Sequence, residues 1–322
     1  MLNTTEKFIV YLDNDTLKYL FLDYSGERSY PVMKKLYALL HDGLVNDWLC
    51  TPFSIDSVPY FIKDNRIEQK YLDMMGGIGQ VQYHQRFTIK TLQLIRIINS
   101  FFDNHYSKPM WRDAFSVDPD ENYTPGFNKY RSINAKNAFQ ALEREKKTSQ
   151  IFEFIESYKA GKEADSLAGA HFKSLWDEFP DLIIPYLPKM GTPESHIATF
   201  LEYDSIHEIP EFHILSKVLY PLLDAYGIEE VEAGKHDAAL LASETIASYM
   251  PYCHFYVTSV DIAELVMTTG INEPYNVRIY DHNESSLYKL INDITEKYKV
   301  ISKFKNGSAK NQTMFRRGPL RR

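Results

Sequence analysis

The chain has 322 residues, 44% of them apolar and 14% aromatic, and a formal net charge of −7 at pH 7. This composition excludes a disordered chain and is sufficient for one large domain or for two domains. The two cysteines, Cys50 and Cys253, lie far apart in the sequence, which argues against a disulfide framework and favours a reducing, cytoplasmic environment. No apolar run reaches the roughly 20 residues of a membrane-spanning helix, so we expect no membrane association.

The first predicted elements alternate between strand and helix. A short apolar strand is predicted at residues 7–12 (KFIVYL), and it ends at Asp13. The apolar spacing indicates a helix from Asp15 to Leu22 and a second helix from Pro31 to Trp48, broken near Gly43. The next segment, LCTPFSIDSV, is typical of a short buried strand followed by a turn. This β-α-α-β order predicts the first part of an α/β domain.

The middle of the chain, residues 66–214, is predicted to be a large helical insertion. Amphipathic helical stretches run from Thr88 to Phe102 and from Ala135 to Tyr158. Turn-rich loops separate them at residues 118–127 and 189–195. This segment shows no spacing of residues with a recognisable chemistry.

The C-terminal third returns to alternating helices and strands. The pattern predicts helices at residues 237–250, 261–267 and 284–297, and strands at residues 254–258 and 275–280. Such alternation implies parallel strands joined by right-handed crossovers. We therefore expect residues 1–65 and 215–300 to form one α/β core, with its functional residues beyond the carboxyl ends of the strands.

The last 22 residues form a basic tail, which we predict to be disordered. They contain seven Lys or Arg residues and no acid, whereas the preceding 300 residues carry a net charge of −14. Two phenylalanines lie among these cations, a combination that suits contact with nucleic acid phosphates. A solvated chain terminus explains the same pattern. The candidate RNA-binding cations are Lys303, Lys305, Lys310, Arg316, Arg317, Arg321 and Arg322.

The two acids that follow the first strand, Asp13 and Asp15, have three interpretations. An acid at a helix start is favoured as an N-cap. The Asp-x-Asp spacing also resembles the nucleophile motif of haloacid-dehalogenase-type phosphatases, although Leu17 stands where that family has Thr or Val. The third interpretation is a pair of carboxylates for a divalent cation. An EF-hand is excluded, because Leu17 occupies a ligand position and no loop glycine follows.

The cation interpretation extends along the chain through four short motifs. They are IVYLDNDTLKYLF, TPFSIDS, KHDAALLASETIASYMPYCHFYVTSVDIAELV and YNVRIYDHN, which lie in the first 60 and the last 90 residues or so. In their order and their placement at strand ends, these motifs resemble the PIN-like nuclease family. The resemblance implies an α/β fold with a parallel sheet and flanking helices, and acids that hold Mg²⁺ or Mn²⁺ for phosphodiester hydrolysis, usually of RNA.

The resemblance implies three metal ligands, which are also the expected catalytic residues. Asp13 corresponds to the acid of the first strand, Asp237 to the acid that opens a helix, and Asp261 to the acid that follows Thr258. The family has that acid two places after the Thr, whereas here Val260 intervenes.

A fourth acid of the family would fall near Tyr60, where this chain has none. Asp56, about one helical turn earlier, is the nearest substitute. Hard divalent cations take oxygen ligands, and clustered carboxylates repel one another unless a cation lies between them. The residues expected to support the site are Asp15, Asp56, Glu244, Thr258 and Glu264.

Structural roles remain open for the same acids. Asp237 and Asp261 each stand at a predicted helix start, and Asp261 with Glu264 forms a capping-box spacing. The leading expectation is a ribonuclease that uses Mg²⁺ or Mn²⁺ and acts on single-stranded RNA. The alternatives are an inactive PIN-like scaffold that binds RNA or a protein partner, and a phosphomonoester hydrolase with Asp13 as nucleophile. An inhibitory protein partner of the nuclease is left open as well.

Overall fold

The computed structural model describes residues 7–64, 66–82, 180–202 and 245–315, together with residues 89, 92–93, 95–96, 98, 101–102, 114–115, 214 and 217. The strands of these parts are β1 (Phe8–Leu12), β2 (Leu49–Phe53), β3 (Ile62–Lys63), β4 (Arg66–Ile67), β5 (Gly79–Gln82), β6 (Phe255–Thr258) and β7 (Arg278–Asp281). The α-helices are α1 (Asn14–Ser25), α2 (Pro31–Val45), α3 (Gln69–Ile78), α4 (Pro180–Ile183), α5 (Pro193–Glu202), α6 (Val260–Thr269) and α7 (Glu284–Phe315). Short 3₁₀ segments lie at Ile55–Phe61, Ile184–Tyr186, Met250–Tyr252 and Glu273–Tyr275.

Five strands form one parallel sheet in the order β5-β2-β1-β6-β7, as the α/β alternation predicts. The chain moves outward from β1 to β2 and β5, and then returns to the other side of β1 with β6 and β7. The direction in which the chain adds strands to the sheet therefore reverses between β1 and β6. In sheets of this kind, ligands bind beyond the carboxyl ends of the strands at such a switch point.

The predicted boundary of the helical insertion at residue 66 is corrected by β5. This strand pairs with β2, with Thr51 opposite Gly79, so the α/β part extends at least to Gln82. Its sequence, GQVQ, has no apolar run or clear alternation, because an edge strand with one bonded neighbour needs little apolar surface. Of the predicted helix 88–102, every described residue is helical, whereas the predicted helix 135–158 and the loop 118–127 lie outside the described residues.

One face of the sheet packs against helices and forms the main core. The residues of this core include Val10 and Leu12 of β1 and Phe255 and Val257 of β6, with helical side chains such as Leu36, Met75 and Leu290. The opposite face carries Tyr11 and Tyr256, whose rings stack at a centroid distance of 4.6 Å. Tyr11 also stacks on Tyr249, at 5.6 Å. This second face of the sheet is therefore lined by buried tyrosines.

The break predicted in α2 near Gly43 does not occur, and the glycine serves the packing of the helix. The helix continues to Val45, and a β carbon at position 43 would lie only 2.6 Å from the Cβ atom of Leu49. The glycine is needed for the close approach of α2 to β2 and does not end the helix.

The predicted disordered tail differs from the structure over its first fifteen residues. Helix α7 continues without interruption to Phe315. Lys, Ala, Gln and Met are good helix formers, and the first proline after residue 300 is Pro319, so no proline interrupts the helix, which passes through Asn306 and Gly307. None of the described helices is long and apolar enough to cross a membrane.

Candidate functional site

Asp13 lies at the switch point of the sheet, directly after the central strand. Its backbone N–H donates to the carbonyl oxygen of Val257 in β6 at 3.1 Å, so pairing with β6 continues one residue beyond β1. Leu12 is opposite Val257 in this register. The predicted position of Asp13, at the end of a strand and on the carboxyl edge, is therefore confirmed.

The Asp13 side chain is also a helix cap. Its Oδ1 atom accepts the backbone N–H of Thr16 at 2.8 Å, and its extended backbone (φ −69°, ψ 173°) is the usual conformation of an N-cap residue. The capping interpretation is thus confirmed. It does not exclude the other two interpretations, because this backbone hydrogen bond uses only the Oδ1 atom of the carboxylate.

The electrostatic environment of Asp13 disfavours its charged form. Burial raises the pKa of this carboxyl, and repulsion from Asp15 adds to the rise. Hydrogen bonding from Thr16 and the nearby His282 act in the opposite direction and do not cancel the effect. An ionised Asp13 would be stabilised by a bound cation, since a cation offsets both burial and repulsion.

The Asp261 side chain is exposed, in the first turn of α6. The N-cap of that helix is Ser259, so Asp261 is not the cap that the sequence allows for. Glu264, one turn later, is also exposed, whereas Thr258 is buried at the end of β6 opposite Asp281.

The other proposed ligands cannot be placed in the same way. Asp237 and Glu244 lie outside the described residues, and the backbone of Asp56 lies in the 3₁₀ segment that follows β2. Within the described residues, no three His, Cys, Asp or Glu side chains are grouped so that they could hold a metal ion. Among the described residues, Asp13 has Asp15 as a neighbouring acid, and these two form no group of three ligands with Asp261.

Two residues of this edge were given no role by sequence reasoning, although the motif YDHN contains them. Asp281 ends β7, and its Oδ1 atom accepts the N–H of Asn283 at 2.7 Å. His282 follows, close enough to Asp13 to lower its pKa, and its buried Nδ1 atom has no hydrogen-bond partner within the described part of the chain. Their position directly after a predicted strand is the signal that could have identified them.

The tyrosine face reaches the same edge of the sheet. Burial raises the pKa of Tyr256 well above its usual value, and the neighbouring Tyr11 and Asp13 raise it further. Ser54, the first residue after β2, donates its hydroxyl to the Tyr249 hydroxyl at 3.2 Å. The buried Tyr256 side chain therefore lies near Asp13 on this face.

The predicted RNA-binding cations are described only in part. The backbone at Lys303, Lys305 and Lys310 belongs to α7, whereas Arg316, Arg317, Arg321 and Arg322 lie outside the described residues. Comparisons with protein family models, with curated proteins and with solved structures found no match, so the resemblance to PIN-like nucleases rests on the sequence motifs alone.

Proposed function

We propose that this protein is a PIN-like, metal-dependent ribonuclease that hydrolyses phosphodiester bonds of single-stranded RNA at the carboxyl edge of its sheet. The observation that carries the proposal is Asp13, a partly buried carboxylate with a raised pKa at the β1 and β6 switch point. A binding site is expected at this location from the topology alone.

Asp13, Asp237 and Asp261 are the residues that would hold Mg²⁺ or Mn²⁺. The cation would neutralise charge on the phosphate and make water a better nucleophile. Within the chain, Thr16 orients the carboxylate of Asp13 through the 2.8 Å hydrogen bond, and Asp15 adds negative charge beside it. The buried Tyr256 lies near the carboxylate on the second face of the sheet.

A second candidate is a scaffold of the same fold that binds RNA or a protein and cleaves nothing. Two observations favour it: one oxygen of Asp13 is already used for the helix cap, and no group of three ligands occurs among the described residues. Tyr60, 58% exposed, stands where the family carries a further acid.

Cleavage assays separate the two candidates. The full chain is incubated with labelled single-stranded RNAs of varied sequence and Mn²⁺, alongside an Asp237→Asn variant and the control Asp64→Asn. Asp64 is exposed, is not one of the proposed ligands, and has a φ of +50°, a conformation that asparagine adopts readily. The nuclease proposal expects cleavage by the wild type and the control, and loss of cleavage in a folded Asp237→Asn. Absence of cleavage across the RNA panel by the wild type would favour the scaffold.

A further inference from the structure

A cavity lies where α1 ends and α2 begins, and the proposed hydrolysis gives it no role. Its volume is about 470 Å³, within the usual range of about 300–1,000 Å³ for small-molecule sites. Its lining includes two tyrosines, two cations and two acids: Tyr24, Tyr37, Arg28, Lys34, Asp23 and Glu27.

One wall of this cavity is aromatic and firmly held. The Tyr24 ring is 40% exposed and lies 5.1 Å from the Tyr37 ring. Tyr37 stacks on His41 at 6.0 Å, and the His41 Nδ1 atom is hydrogen-bonded to the Gly77 carbonyl at 2.7 Å. The wall therefore presents an exposed ring on a fixed support, the arrangement on which nucleic acid bases stack.

The charged side chains of the cavity differ in whether they already have hydrogen-bond partners. The Asp23 Oδ1 atom already accepts the backbone N–H of Tyr30 at 2.7 Å. Arg28 is fully exposed and lies beside Tyr30, and Lys70 donates to the carbonyl of Ser25 at 3.1 Å, next to the cavity. Arg28 and Lys34 thus line a site in which Glu27 is the acid without a described partner, and Lys70 lies beside it.

A row of rings joins this cavity to Asp13. The Tyr30 ring meets the Tyr19 ring edge-on at a centroid distance of 5.6 Å, and Tyr19 meets His282 at 5.9 Å. His282 in turn lies close enough to Asp13 to act on its carboxylate. Because the backbone N–H of Tyr30 is bonded to Asp23 of the cavity lining, a chain of contacts connects the cavity to Asp13.

We propose that this cavity is a nucleotide subsite for the single-stranded RNA that the candidate site acts on. A base stacks on Tyr24, and Arg28 and Lys34 bind the adjoining phosphate. The inference rests on the proposed function, because it takes RNA as the substrate. Glu27 repels that phosphate and therefore weakens binding.

RNA binding without cleavage tests the subsite. Fluorescence anisotropy of a labelled oligouridylate is measured with the full chain in EDTA over a series of salt concentrations. Tyr24→Ala should weaken binding by about tenfold, and Tyr24→Phe should retain it. Arg28→Ala should reduce the slope of log affinity against log salt by about 0.7, and Glu27→Gln should strengthen binding.

The control is Arg66→Ala, which removes an exposed arginine from the mixed-charge cleft at the β3 and β4 pair. Thermal unfolding shows that each variant is folded. If the wild type binds RNA and Tyr24→Ala and Arg28→Ala both behave as Arg66→Ala does, the subsite is overturned while the proposed function stands. If the wild type binds no RNA, both are overturned. If RNA binding depends on Tyr24 and Arg28 but no RNA is cleaved in Mn²⁺, the subsite is supported and only the proposed nuclease activity is contradicted.

Discussion

The side chain of His254 takes the place of a backbone group in the pairing of β1 with β6. The backbone N–H of Ile9 donates to the His254 Nδ1 atom at 3.0 Å, and the backbone N–H of His254 donates to the Ile9 carbonyl at 2.9 Å. The Nδ1 atom accepts a hydrogen bond only when it carries no proton. Burial, and then the positive charge of Lys297, lower the pKa of His254 to about 4.

This arrangement predicts a loss of stability in mild acid. The His254 pKa is lower in the folded protein than its ordinary 6.5, so the unfolded chain binds the proton more tightly. The contribution is complete above about pH 6.5 and declines by about 1.4 kcal/mol per pH unit down to about pH 4. Calorimetric unfolding over this pH range measures the slope.

An Asn at position 254 provides the matched variant, because its side-chain oxygen can accept the Ile9 N–H and does not titrate. We expect His254→Asn to flatten the slope, and His41→Asn, at an exposed position, to leave it unchanged. Equal slopes in His254→Asn and the wild type would show that this histidine does not control acid stability.

Gly77 provides a test of the packing of α2 against α3. A β carbon at this position would collide with the Tyr37 hydroxyl, whereas a β carbon at Gly76 has no atom within 4 Å. We expect Gly77→Ala to reduce the free energy of unfolding by about 1–3 kcal/mol. Gly76→Ala should be neutral or stabilising, because alanine is the better helix former by up to about 1 kcal/mol.

The hydroxyl itself is tested by a double-mutant cycle in chemical denaturation. Tyr37→Phe removes the colliding atom, so Gly77→Ala should cost less in that background. Additive losses in the double variant would mean that Tyr37 is not the source of the collision.

Asp13 is expected to affect the stability of the folded protein in two opposite ways: its helix cap stabilises, and its negative charge destabilises. Its raised pKa means that the ionised carboxylate destabilises the folded protein, and this destabilisation develops as the pH rises from the ordinary value through the raised one. Without divalent cations at neutral pH, Asp13→Asn should therefore raise the melting temperature, since asparagine keeps the cap. Asp13→Ala loses the cap and should be about 1 kcal/mol less stable than Asp13→Asn. A lower melting temperature for Asp13→Asn than for the wild type would contradict the destabilising effect of the charge.

The basic tail, residues 301–322, is predicted to attract RNA over long distances. Residues 1–300 carry a net charge of −14, so the seven cations after residue 300 oppose a repulsive body. Deleting residues 303–322 should weaken RNA binding and lower its salt slope by about 0.7 for each phosphate that the tail binds. The deletion leaves the stack of Tyr298 on Trp48 (4.2 Å) in place, so the melting temperature should not change.

A full-length variant with Gln at positions 303, 305 and 310 separates the charge from the helix. We expect it to reproduce part of the effect of the deletion. If neither variant alters the salt slope, RNA must bind elsewhere on the protein.

The sequence predicted the elements whose apolar period is clear and missed those that depend on distant partners. The strands at the centre of the sheet, β1 and β6, were found from their buried runs. The last strand begins at Arg278 and not at Tyr275, because Asn276 adopts a left-handed conformation (φ 56°) that ends a 3₁₀ turn first. Neither β5 nor this turn has a local pattern that reveals its pairing.

The candidate site, too, could be predicted only in part from the sequence. Asp13 could be placed at a strand end because the apolar run stops there, and the structure confirms that position. The proximity of His282 to Asp13 could not be predicted, since it depends on the order of the strands in the sheet. The subsite residues Tyr24 and Arg28 are likewise brought to the same surface by the turn between α1 and α2, whose Gly26 has a φ of +79°.

The Asp13 carboxylate is the proposed ligand of a divalent cation, and titration calorimetry with Mn²⁺ tests this central claim most directly. The full-length wild type is compared with Asp13→Asn, which keeps the cap, and with Asp64→Asn as the control for the removal of an acidic charge. We expect saturable binding to the wild type and to Asp64→Asn, and at least about tenfold weaker binding to Asp13→Asn, because one charged oxygen ligand is removed. Equal Mn²⁺ affinities for all three proteins, or no binding to the wild type, would contradict the claim.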